Sequence, residues 1–419
     1  MGNEWQHPSH AKVRQTESRG TFLFMTIYIH RLETSVPETH YEQSYACELM
    51  QRNVSERDAV KRVLRSIYHN SGIRKRHSVI TDFSGSADPP LFFNPDGTRP
   101  DTPGTRRRND IYAREARRHF TDLGKKLLRN TPGIRKEDVT HLVTVSCTGF
   151  FAPGPDYFVV RDLGLDTSTE RYHIGFMGCY AAFQGLKMAH SFCMNNPDAV
   201  VLVLCVELCT LHLQFSDDTD AMISASVFAD GGSGALVSAR RPAAAAPSDG
   251  IMPPGQTEDT MPSGQPSGTI PAHLEMQSFH SDLTPEGEGD MAWTIGNHGF
   301  EMRLSTYVPE IIRSHIGPAL DTILRKAGLT RRDISRWAVH PGGRAILDKV
   351  QEALELDDEQ IAASRTILRE YGNMSSATIL FVLKELVDAH HAPDPQTVFG
   401  MAFGPGLTIE TGLFRLVSP

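Results

Sequence analysis

Residues 199–207, AVVLVLCVE, form an unbroken apolar run rich in valine, which is typical of a strand buried on both faces of a sheet. Residues 140–147 form a second compact run of this kind. Ahead of these strands, residues 55–70 and 110–130 show the apolar spacing of amphipathic helices. Because strands buried on both faces need helices on either side of the sheet, the alternation predicts a layered α/β fold.

A proline-rich segment interrupts this alternation. Residues 240–271 contain seven prolines among Ala, Ser and Gly and almost no apolar periodicity, which indicates a flexible surface insertion. No short tandem repeat is visible on either side of it. The sequence therefore predicts four parts: a disordered tail (1–20), an N-terminal half (21–239), the insertion (240–271) and a C-terminal half (272–419).

Strands and helices also alternate at the two ends of the chain. The first strand is expected at residues 21–29. The C-terminal half is expected to contain helices at 302–327, 345–354 and 375–389, and strands at 337–339, 397–402 and 407–416.

Bulk composition narrows the class of protein. The 419-residue chain has a net charge of −8 and a pI near 6.1, which argues against a general nucleic-acid binder. Residues 1–20 lack the apolar core of a secretory signal, and no apolar run approaches the ~18 residues of a membrane-spanning helix. The six cysteines lie in apolar contexts, and Cys205 and Cys209 lack the His pair of a zinc finger. We expect a cytoplasmic protein with buried thiols and no need for a metal or cofactor.

Cys179 is the first candidate for chemistry. It lies in HIGFMGCYAA (173–182), where a β-like stretch gives way to a helical pattern. The thiol is therefore expected on a strand-to-helix turn, where backbone N–H groups and the helix dipole favour a thiolate. Gly178 leaves room for an approaching acyl group. From this segment alone, a buried cysteine without a catalytic role remains the alternative.

Two further segments place polar residues between apolar stretches. His340 ends the strand candidate 337–339 and precedes Pro-Gly-Gly, a position where α/β folds commonly carry sites. A core histidine is the alternative there. Asn373 lies in YGNMSSA (371–377), where capping of the following helix would also explain it.

Together, these three residue types suit a carbon–carbon condensation. A cysteine thiolate attacks a thioester and keeps its acyl group, while a neighbouring histidine holds the thiolate as an ion pair. Histidine and asparagine can both donate hydrogen bonds to a thioester oxygen, which stabilises the enolate left when malonyl-CoA loses carbon dioxide. The enolate then attacks the acyl group and lengthens it by two carbons. Cys179, His340 and Asn373 are therefore the predicted catalytic residues.

The sequence resembles the type III polyketide synthases, the chalcone-synthase-like group, from about Thr21 to Ser418 outside the insertion. The resemblance rests on Gly178-Cys179 and on WAVHPGGRAILD (337–348), EYGNMSSATILFVL (370–383) and FGPGLTIET (403–411). It implies a thiolase fold of two similar αβαβα halves, assembled as a homodimer with one active site per subunit. It also implies that Cys179, His340 and Asn373 match the catalytic triad of the family.

The resemblance extends to the walls of the substrate cavity. It implies that Phe228 is the gatekeeper between the CoA tunnel and the cavity, and that Met302 holds the second gatekeeper position. Ala152 falls where the family places a residue near the dimer interface. The remaining positions implied to line the cavity are Cys147, Thr148, Cys209, His212, Trp293 and Ser375.

The CoA-binding positions depart from those of the plant enzymes. Three basic residues on an early helix grip the CoA phosphates there, and Val63, Ser66 and Asn70 stand at those positions here. The substitutes that we consider are Arg65, Arg74 and Arg344. We expect acyl-CoA and malonyl-CoA as substrates, with an acyl carrier protein as an alternative carrier of the starter.

The segment 206–237 is similar to microbial alkylresorcinol and alkylpyrone synthases rather than to plant chalcone synthases. The similarity implies a long-chain fatty acyl starter that malonyl-CoA extends two or three times. Lactonisation would then give an alkylpyrone, and aldol closure an alkylresorcinol or a resorcylic acid.

Other functions remain open from the sequence. A ketoacyl synthase of fatty-acid initiation would stop after one condensation, and its histidine is usually followed by a Gln-Ala-Asn-like stretch rather than Pro-Gly-Gly. A polyketide synthase that uses aromatic or short starters is a further alternative. A papain-like hydrolase is disfavoured because its Cys-Gly-Ser-Cys-Trp signature is missing. The intact triad argues against a non-catalytic homologue.

Overall fold

The computed structural model describes residues 25–84, 90–94, 96–99, 102–243 and 272–418. The predicted tail lies outside the described residues, and so does the predicted insertion apart from residues 240–243. None of the helices in these ranges is long and apolar enough to cross a membrane.

Strands and helices alternate through the first half of the chain. Its strands are β1 (Ile27–Ser35), β2 (His40–Glu42), β3 (Lys75–His77), β4 (His141–Ser146), β5 (Glu170–Gly175), β6 (Val200–Leu208) and β7 (Asp230–Ser238). Its helices are α1 (Gln43–Asn53), α2 (Asp58–His69), α3 (Thr105–Arg129), α4 (Pro155–Leu163), α5 (Ala181–Asn195) and α6 (Thr219–Val227).

The second half follows the same alternation. Its strands are β8 (His273–Leu283), β9 (Met291–Gly296), β10 (Gly299–Leu304), β11 (Arg336–Val339), β12 (Gln396–Gly404) and β13 (Thr408–Val417). Its helices are α7 (Val308–Ala327), α8 (Arg344–Leu354), α9 (Asp358–Tyr371) and α10 (Thr378–Asp388).

A nine-stranded sheet runs through both halves in the order β11-β12-β13-β8-β1-β7-β6-β4-β5. In each half the first strand pairs antiparallel with the last, as β1 does with β7 and β8 with β13. The last strand of each half also pairs antiparallel with the strand before it, as β7 does with β6 and β13 with β12. β6 in turn pairs parallel with β4, and β12 pairs parallel with β11. The two halves therefore share one topology, and a short pairing of β1 with β8 joins them.

The helices form layers around this sheet. α5 and α10 contribute to one apolar core with strands of both halves, and side chains such as Phe183 and Leu380 are fully buried there. α3 packs on β6 and β7, whereas α7 packs on β8 and β13. Helices thus pack on the strands of both halves, which confirms the predicted α/β class. We propose to divide the chain into the two halves at the segment 240–271.

The strongest sequence patterns are confirmed. Every residue of β6 is buried, as the run 199–207 predicts for a strand covered on both faces. The helices predicted at 55–70 and 110–130 correspond to α2 and α3. Cys205 and Cys209 are buried free thiols, as expected.

Three predicted boundaries were wrong. The first strand, predicted at 21–29, continues to Ser35, because polar residues in it are buried with partners; His30, for example, bonds to the Ser238 hydroxyl at 2.7 Å. Residues 21–24 of that prediction lie outside the described residues, and β1 begins at Ile27. Residues 302–304 belong to β10, and α7 begins only at Val308. Residues 375–377 form a 3-10 turn that precedes α10.

Candidate active site

Cys179 lies in a tight turn between β5 and α5. The chain leaves β5 at Gly175, and the Ala181 N–H donates to the Gly178 carbonyl at 3.1 Å. Gly178 has φ +80°, and a Cβ at this position would lie 2.6 Å from Cδ of Pro405. Glycine is therefore required both by the left-handed backbone and by the close approach of the Pro405 loop. The turn places the thiol at a helix start, 5% exposed, where the sequence predicts it.

His340 follows the last residue of β11, and its N–H donates to the Met401 carbonyl of β12 at 2.9 Å. The imidazole is 1% exposed. Neither ring nitrogen has a hydrogen-bond partner among the described residues. Buried polar atoms without partners are rare, and here they leave both nitrogens free to exchange a proton or a hydrogen bond with a substrate.

Asn373 is fixed by four hydrogen bonds. Its backbone N–H donates to the Val227 carbonyl and its carbonyl accepts from the Ala229 N–H, both at 2.9 Å. Its side-chain Oδ1 accepts from the Ser375 N–H at 2.9 Å, and Nδ2 donates to the Gly342 carbonyl at 3.1 Å. These bonds set the orientation of the amide and leave one of its N–H groups free. The capping role considered as an alternative is wrong, because the N-cap residue of α10 is Ala377 and no side chain caps it.

Cys179, His340 and Asn373 line one small pocket that leaves only about 10 Å³ free. The other residues that line it are Phe228, Met291, Met302, Leu304, Gly342, Ile346 and Phe403. The three predicted catalytic side chains therefore meet in surroundings that are otherwise almost entirely apolar.

Burial in this apolar pocket favours the uncharged forms of Cys179 and His340. Burial raises the pKa of the Cys179 thiol to about 11, and it lowers the pKa of the His340 imidazole to about 3. The thiol is neutral below its raised pKa and the imidazole is neutral above its lowered pKa, so both are neutral near pH 7. Hydrogen bonds from Ser375 and Asn373 act in the opposite direction on Cys179, as does the start of α5. The thiolate–imidazolium pair stays a prediction.

A larger cavity of about 630 Å³ lies next to this pocket. Phe228 and Met302, the two predicted gatekeepers, line both spaces. One part of the cavity wall is apolar and is formed by Ala46, Leu49, Met50, Phe83 and Phe93. The predicted residues Cys209, His212 and Trp293 also line it.

Two of the predicted cavity residues are held rigidly. His212 Nε2 donates to the Thr148 carbonyl at 2.8 Å, and its Nδ1 accepts from the Phe300 N–H at 2.9 Å. Burial lowers the pKa of His212 to about 3, so the ring stays neutral. Trp293 Nε1 donates to the Cys147 carbonyl at 2.7 Å. Both side chains therefore shape the wall rather than transfer protons.

Glu207, on β6, was missed by the sequence prediction. Its carboxylate is fully buried and accepts from the Cys147 N–H and the Thr148 hydroxyl, each at 3.0 Å, and from the Ser376 hydroxyl. Burial raises the pKa of Glu207. The predicted Ser375 completes this group through its contact of 3.4 Å with Cys147 Sγ. A lone carboxylate in a buried apolar run was the available signal, because such groups are almost always paired.

A third space, an open groove of about 730 Å³, lies along α1 and α2. Two of the three basic substitutes line it: Arg65, which meets no carboxylate in the described part of the chain, and Arg74, which pairs with Glu42 and Glu370. The third, Arg344, does not line the groove and pairs with Asp348 at 3.5 Å.

A cysteine on a strand-to-helix turn of one half meets a histidine and an asparagine of the other, beside a large cavity. This arrangement defines a thiol-dependent acyl-transfer site in a duplicated α/β fold. Comparison with known families is consistent with this class. The chain belongs to the chalcone and stilbene synthases, whose N-terminal domain matches residues 11–241 and whose C-terminal domain matches residues 275–418.

Individual relatives and solved structures are similar to the chain over more than nine tenths of its length. The chain is 29% identical over 390 residues to the alpha-pyrone synthesis polyketide synthase-like Pks18 of Mycobacterium tuberculosis, covering 93% of this chain and 91% of the relative. It is similar to PKS-I from the brown alga Ectocarpus siliculosus, with 31% identity, a TM-score of 0.80, and 94% and 98% of the two chains covered. It is also similar to 1,3,6,8-tetrahydroxynaphthalene synthase from Streptomyces coelicolor, with 25% identity, a TM-score of 0.76, and 94% and 99% covered.

These comparisons confirm the thiolase fold and the type III polyketide synthase class that the sequence predicts. The protein is therefore an acyltransferase that condenses malonyl-CoA units.

Proposed function

We propose that this synthase loads a long-chain fatty acyl group on Cys179 and extends it two or three times with malonyl-CoA. Cyclisation then gives an alkylpyrone, an alkylresorcinol or a resorcylic acid. The observation that carries the proposal is the 630 Å³ cavity with an apolar part to its wall, which shares the lining residues Phe228 and Met302 with the thiol pocket. Its size is in the range of pockets that enclose small-molecule ligands. The similarity to Pks18, whose name refers to alpha-pyrone synthesis, is a second support.

Cys179, His340 and Asn373 carry out the chemistry in this proposal. As the thiol attacks the starter thioester, neutral His340 accepts its proton and passes it to the departing CoA thiolate, which leaves the acyl group on sulfur. Malonyl-CoA then loses carbon dioxide. The free N–H of Asn373 and an N–H of His340 stabilise the resulting enolate oxygen. The enolate carbon attacks the acyl carbon, the C–S bond breaks, and the Cys179 sulfur becomes the leaving group.

The positions of these donors support that assignment. The amide of Asn373 bonds to the Gly342 carbonyl, and Nε2 of His340 lies 3.8 Å from where a Cβ on Gly342 would stand. Both donors thus border the backbone of Gly342, where an added side chain would narrow the space for a thioester. We propose that Cys147, Thr148 and Ser375 form the adjoining wall around the growing chain.

We propose that the CoA part of the substrates lies in the groove along α1 and α2. Arg65 supplies a cation there that has no carboxylate partner among the described residues, which suits a phosphate. Ile73 lines the groove and belongs to the same apolar cluster as Cys179, which supports a route from the groove towards the thiol. An acyl carrier protein would present the same pantetheine arm and is the alternative carrier.

We also propose that the protein is a homodimer. β5 is an edge strand, and such edges are usually covered. Exposed apolar side chains surround it: Phe150 is 40% exposed, Tyr157 41% and Met177 36%. Ala152, implied by the resemblance to lie near the interface, is in this region. A second copy of the chain would cover both the edge and this apolar surface.

The test of the proposed function is to incubate the purified protein with malonyl-CoA and a series of acyl-CoA starters from acetyl to palmitoyl, with an aromatic starter included. Mass spectrometry of the products should find long-chain starters extended two or three times. Turnover with aromatic or acetyl starters alone would contradict the fatty starter. A single two-carbon extension would support a ketoacyl synthase instead.

A further inference from the structure

A buried arginine that the sequence prediction missed holds the gatekeeper segment and lines the 630 Å³ cavity. Arg76, on β3, is 3% exposed. Its Nη1 donates to the carbonyl of Ala225 at 2.8 Å and to that of Phe228 at 2.7 Å. The first carbonyl belongs to the last turn of α6, and the second to the gatekeeper itself. One guanidinium nitrogen thus fixes the backbone that carries the Phe228 ring.

The stem of the same arginine packs against the residue that precedes Asn373. A Cβ on Gly372 would lie 3.0 Å from Cγ of Arg76 and 3.0 Å from the Val227 carbonyl. Phe228 and Asn373 form an isolated parallel bridge between these two segments. Arg76 therefore contacts both sides of the bridge that joins the gatekeeper to the predicted catalytic amide.

Each backbone carbonyl around the bridge accepts a hydrogen bond from a residue outside α6. The Tyr68 hydroxyl donates to the Ala225 carbonyl at 3.2 Å, and Gln43 Nε2 donates to the Ser226 carbonyl at 2.7 Å. The Val227 carbonyl accepts from the Asn373 N–H. With the two bonds of Arg76, every carbonyl from 225 to 228 has a partner from another segment. Because all four carbonyls are hydrogen-bonded, this backbone segment is held in a single position.

We propose that Arg76 is a positioning residue for the condensation. By holding Phe228 and Gly372 together, it aims the free amide N–H of Asn373 at the thioester oxygen. This inference rests on the proposed function, because it requires Asn373 to act in the decarboxylation of malonyl-CoA. The Asn373 side chain also hydrogen-bonds to the Cys179 thiol, but the proposed mechanism assigns the proton transfer of acylation to His340 and the enolate oxygen to Asn373. Removing the guanidinium should therefore slow decarboxylation more than acylation.

The experiment compares Arg76→Met and Arg76→Lys with a matched buried arginine. Arg108 is 0% exposed and also bonds to backbone carbonyls, those of Pro103, Leu211 and Leu213, but it does not touch the bridge. For each variant, malonyl-CoA decarboxylation without a starter, acylation of Cys179 by an acyl-CoA, and the melting temperature are measured.

In Arg76→Met, the ratio of decarboxylation to acylation should fall by roughly tenfold, or about 1.4 kcal/mol of transition-state stabilisation. Arg76→Lys keeps a buried donor and should recover part of that loss. Arg108→Lys should lower the melting temperature while the ratio stays within about twofold of the wild type. If Arg76→Met does not fold, a ratio lowered by about threefold in Arg76→Lys supports the proposal.

A wild-type ratio of decarboxylation to acylation in a folded Arg76 variant would overturn the inference. A fall of this ratio in Arg108→Lys as large as that in Arg76→Lys would also overturn it. The proposed function is judged separately by Asn373→Ala in the wild-type background. If that variant decarboxylates malonyl-CoA normally, the role of Asn373 in the proposed function fails, and the inference about Arg76 fails with it. If Asn373→Ala loses decarboxylation while the Arg76 variants keep a wild-type ratio, only the inference about Arg76 fails.

Discussion

Cys179 is subject to two opposing influences, a helix start that favours its thiolate and an apolar pocket that disfavours it. Burial in the pocket raises the pKa of Cys179, an effect that composition and motif could not reveal. Motifs did identify Cys179, His340 and Asn373, because each lies in a short stretch of unusual composition. Arg76 and Glu207 escaped notice because their partners are far away in sequence. Arg76, for example, bonds to a carbonyl 152 residues further along the chain.

The first prediction at this scale concerns the pH dependence of the nucleophile. Because burial raises the pKa of Cys179, only the small thiolate fraction reacts with iodoacetamide in the absence of substrate. The alkylation rate should rise roughly tenfold per pH unit from about pH 6 to about pH 9 without a plateau. A rate that is already constant near neutral pH would indicate a preformed ion pair. Cys179→Ala is the control for labelling of the other thiols.

The second prediction concerns the carrier of the starter. Arg65→Ala should raise the KM for acyl-CoA by about fivefold, roughly 1 kcal/mol, because a phosphate loses an exposed charged partner. It should not change the KM for an acyl thioester of N-acetylcysteamine, which has no phosphate. The matched control is Arg62→Ala on the same helix, since Arg62 is exposed but does not line the groove. An equal rise in the KM for acyl-CoA in the two variants would mean that the CoA phosphates do not bind at Arg65.

At the scale of elements, strongly apolar or strongly periodic stretches were predictable, and elements with polar or exposed faces were not. β6 is buried along its whole length and was located to within one residue. β9 and β10 form a separate two-stranded hairpin with exposed positions, so their pattern was weak and Met302 was placed on a helix. The shape of the cavity depends on this hairpin and on α1, which the sequence pattern did not indicate.

Filling the cavity from α1 should shorten the preferred starter. Ala46→Phe places a ring in the apolar part of the wall and should lower kcat/KM for palmitoyl-CoA by about tenfold or more. Hexanoyl-CoA should be used within about twofold of the wild-type rate, because its short chain does not reach the ring. Val63→Phe, at a position 43% exposed on α2, is the control. Equal losses for both starters in Ala46→Phe would mean that the chain does not occupy this cavity.

At the scale of the whole molecule, the resemblance to the family implied the duplicated topology, but no repeat in the sequence showed it. Four strands of each half follow the same order, yet no repeat is visible in their side chains, because a fold needs only similar patterns of burial. The duplication places Cys179 in one half and His340 with Asn373 in the other. The halves must therefore dock correctly before the site exists.

The proposed dimer gives a prediction at this scale. Light scattering should give a mass of twice the 46.4 kDa of the chain. Tyr157→Glu should weaken the dimer, because it introduces a charge into the apolar surface beside β5. Tyr307→Glu changes the same residue type at a position 71% exposed near the start of α7 and should leave the dimer intact. A monomeric wild-type protein would contradict the proposed assembly.

The central claim is that Cys179 holds a fatty acyl chain while malonyl-CoA lengthens it. The most direct measurement is to quench the protein after mixing with palmitoyl-CoA alone, and again after adding malonyl-CoA, and to map the acylated peptide by mass spectrometry. The account predicts a palmitoyl group on the peptide that contains Cys179, which gains two-carbon ketide units and then disappears as a cyclised product is released. Synthesis of the same product by Cys179→Ala, or an acyl group that malonyl-CoA never extends, would contradict it.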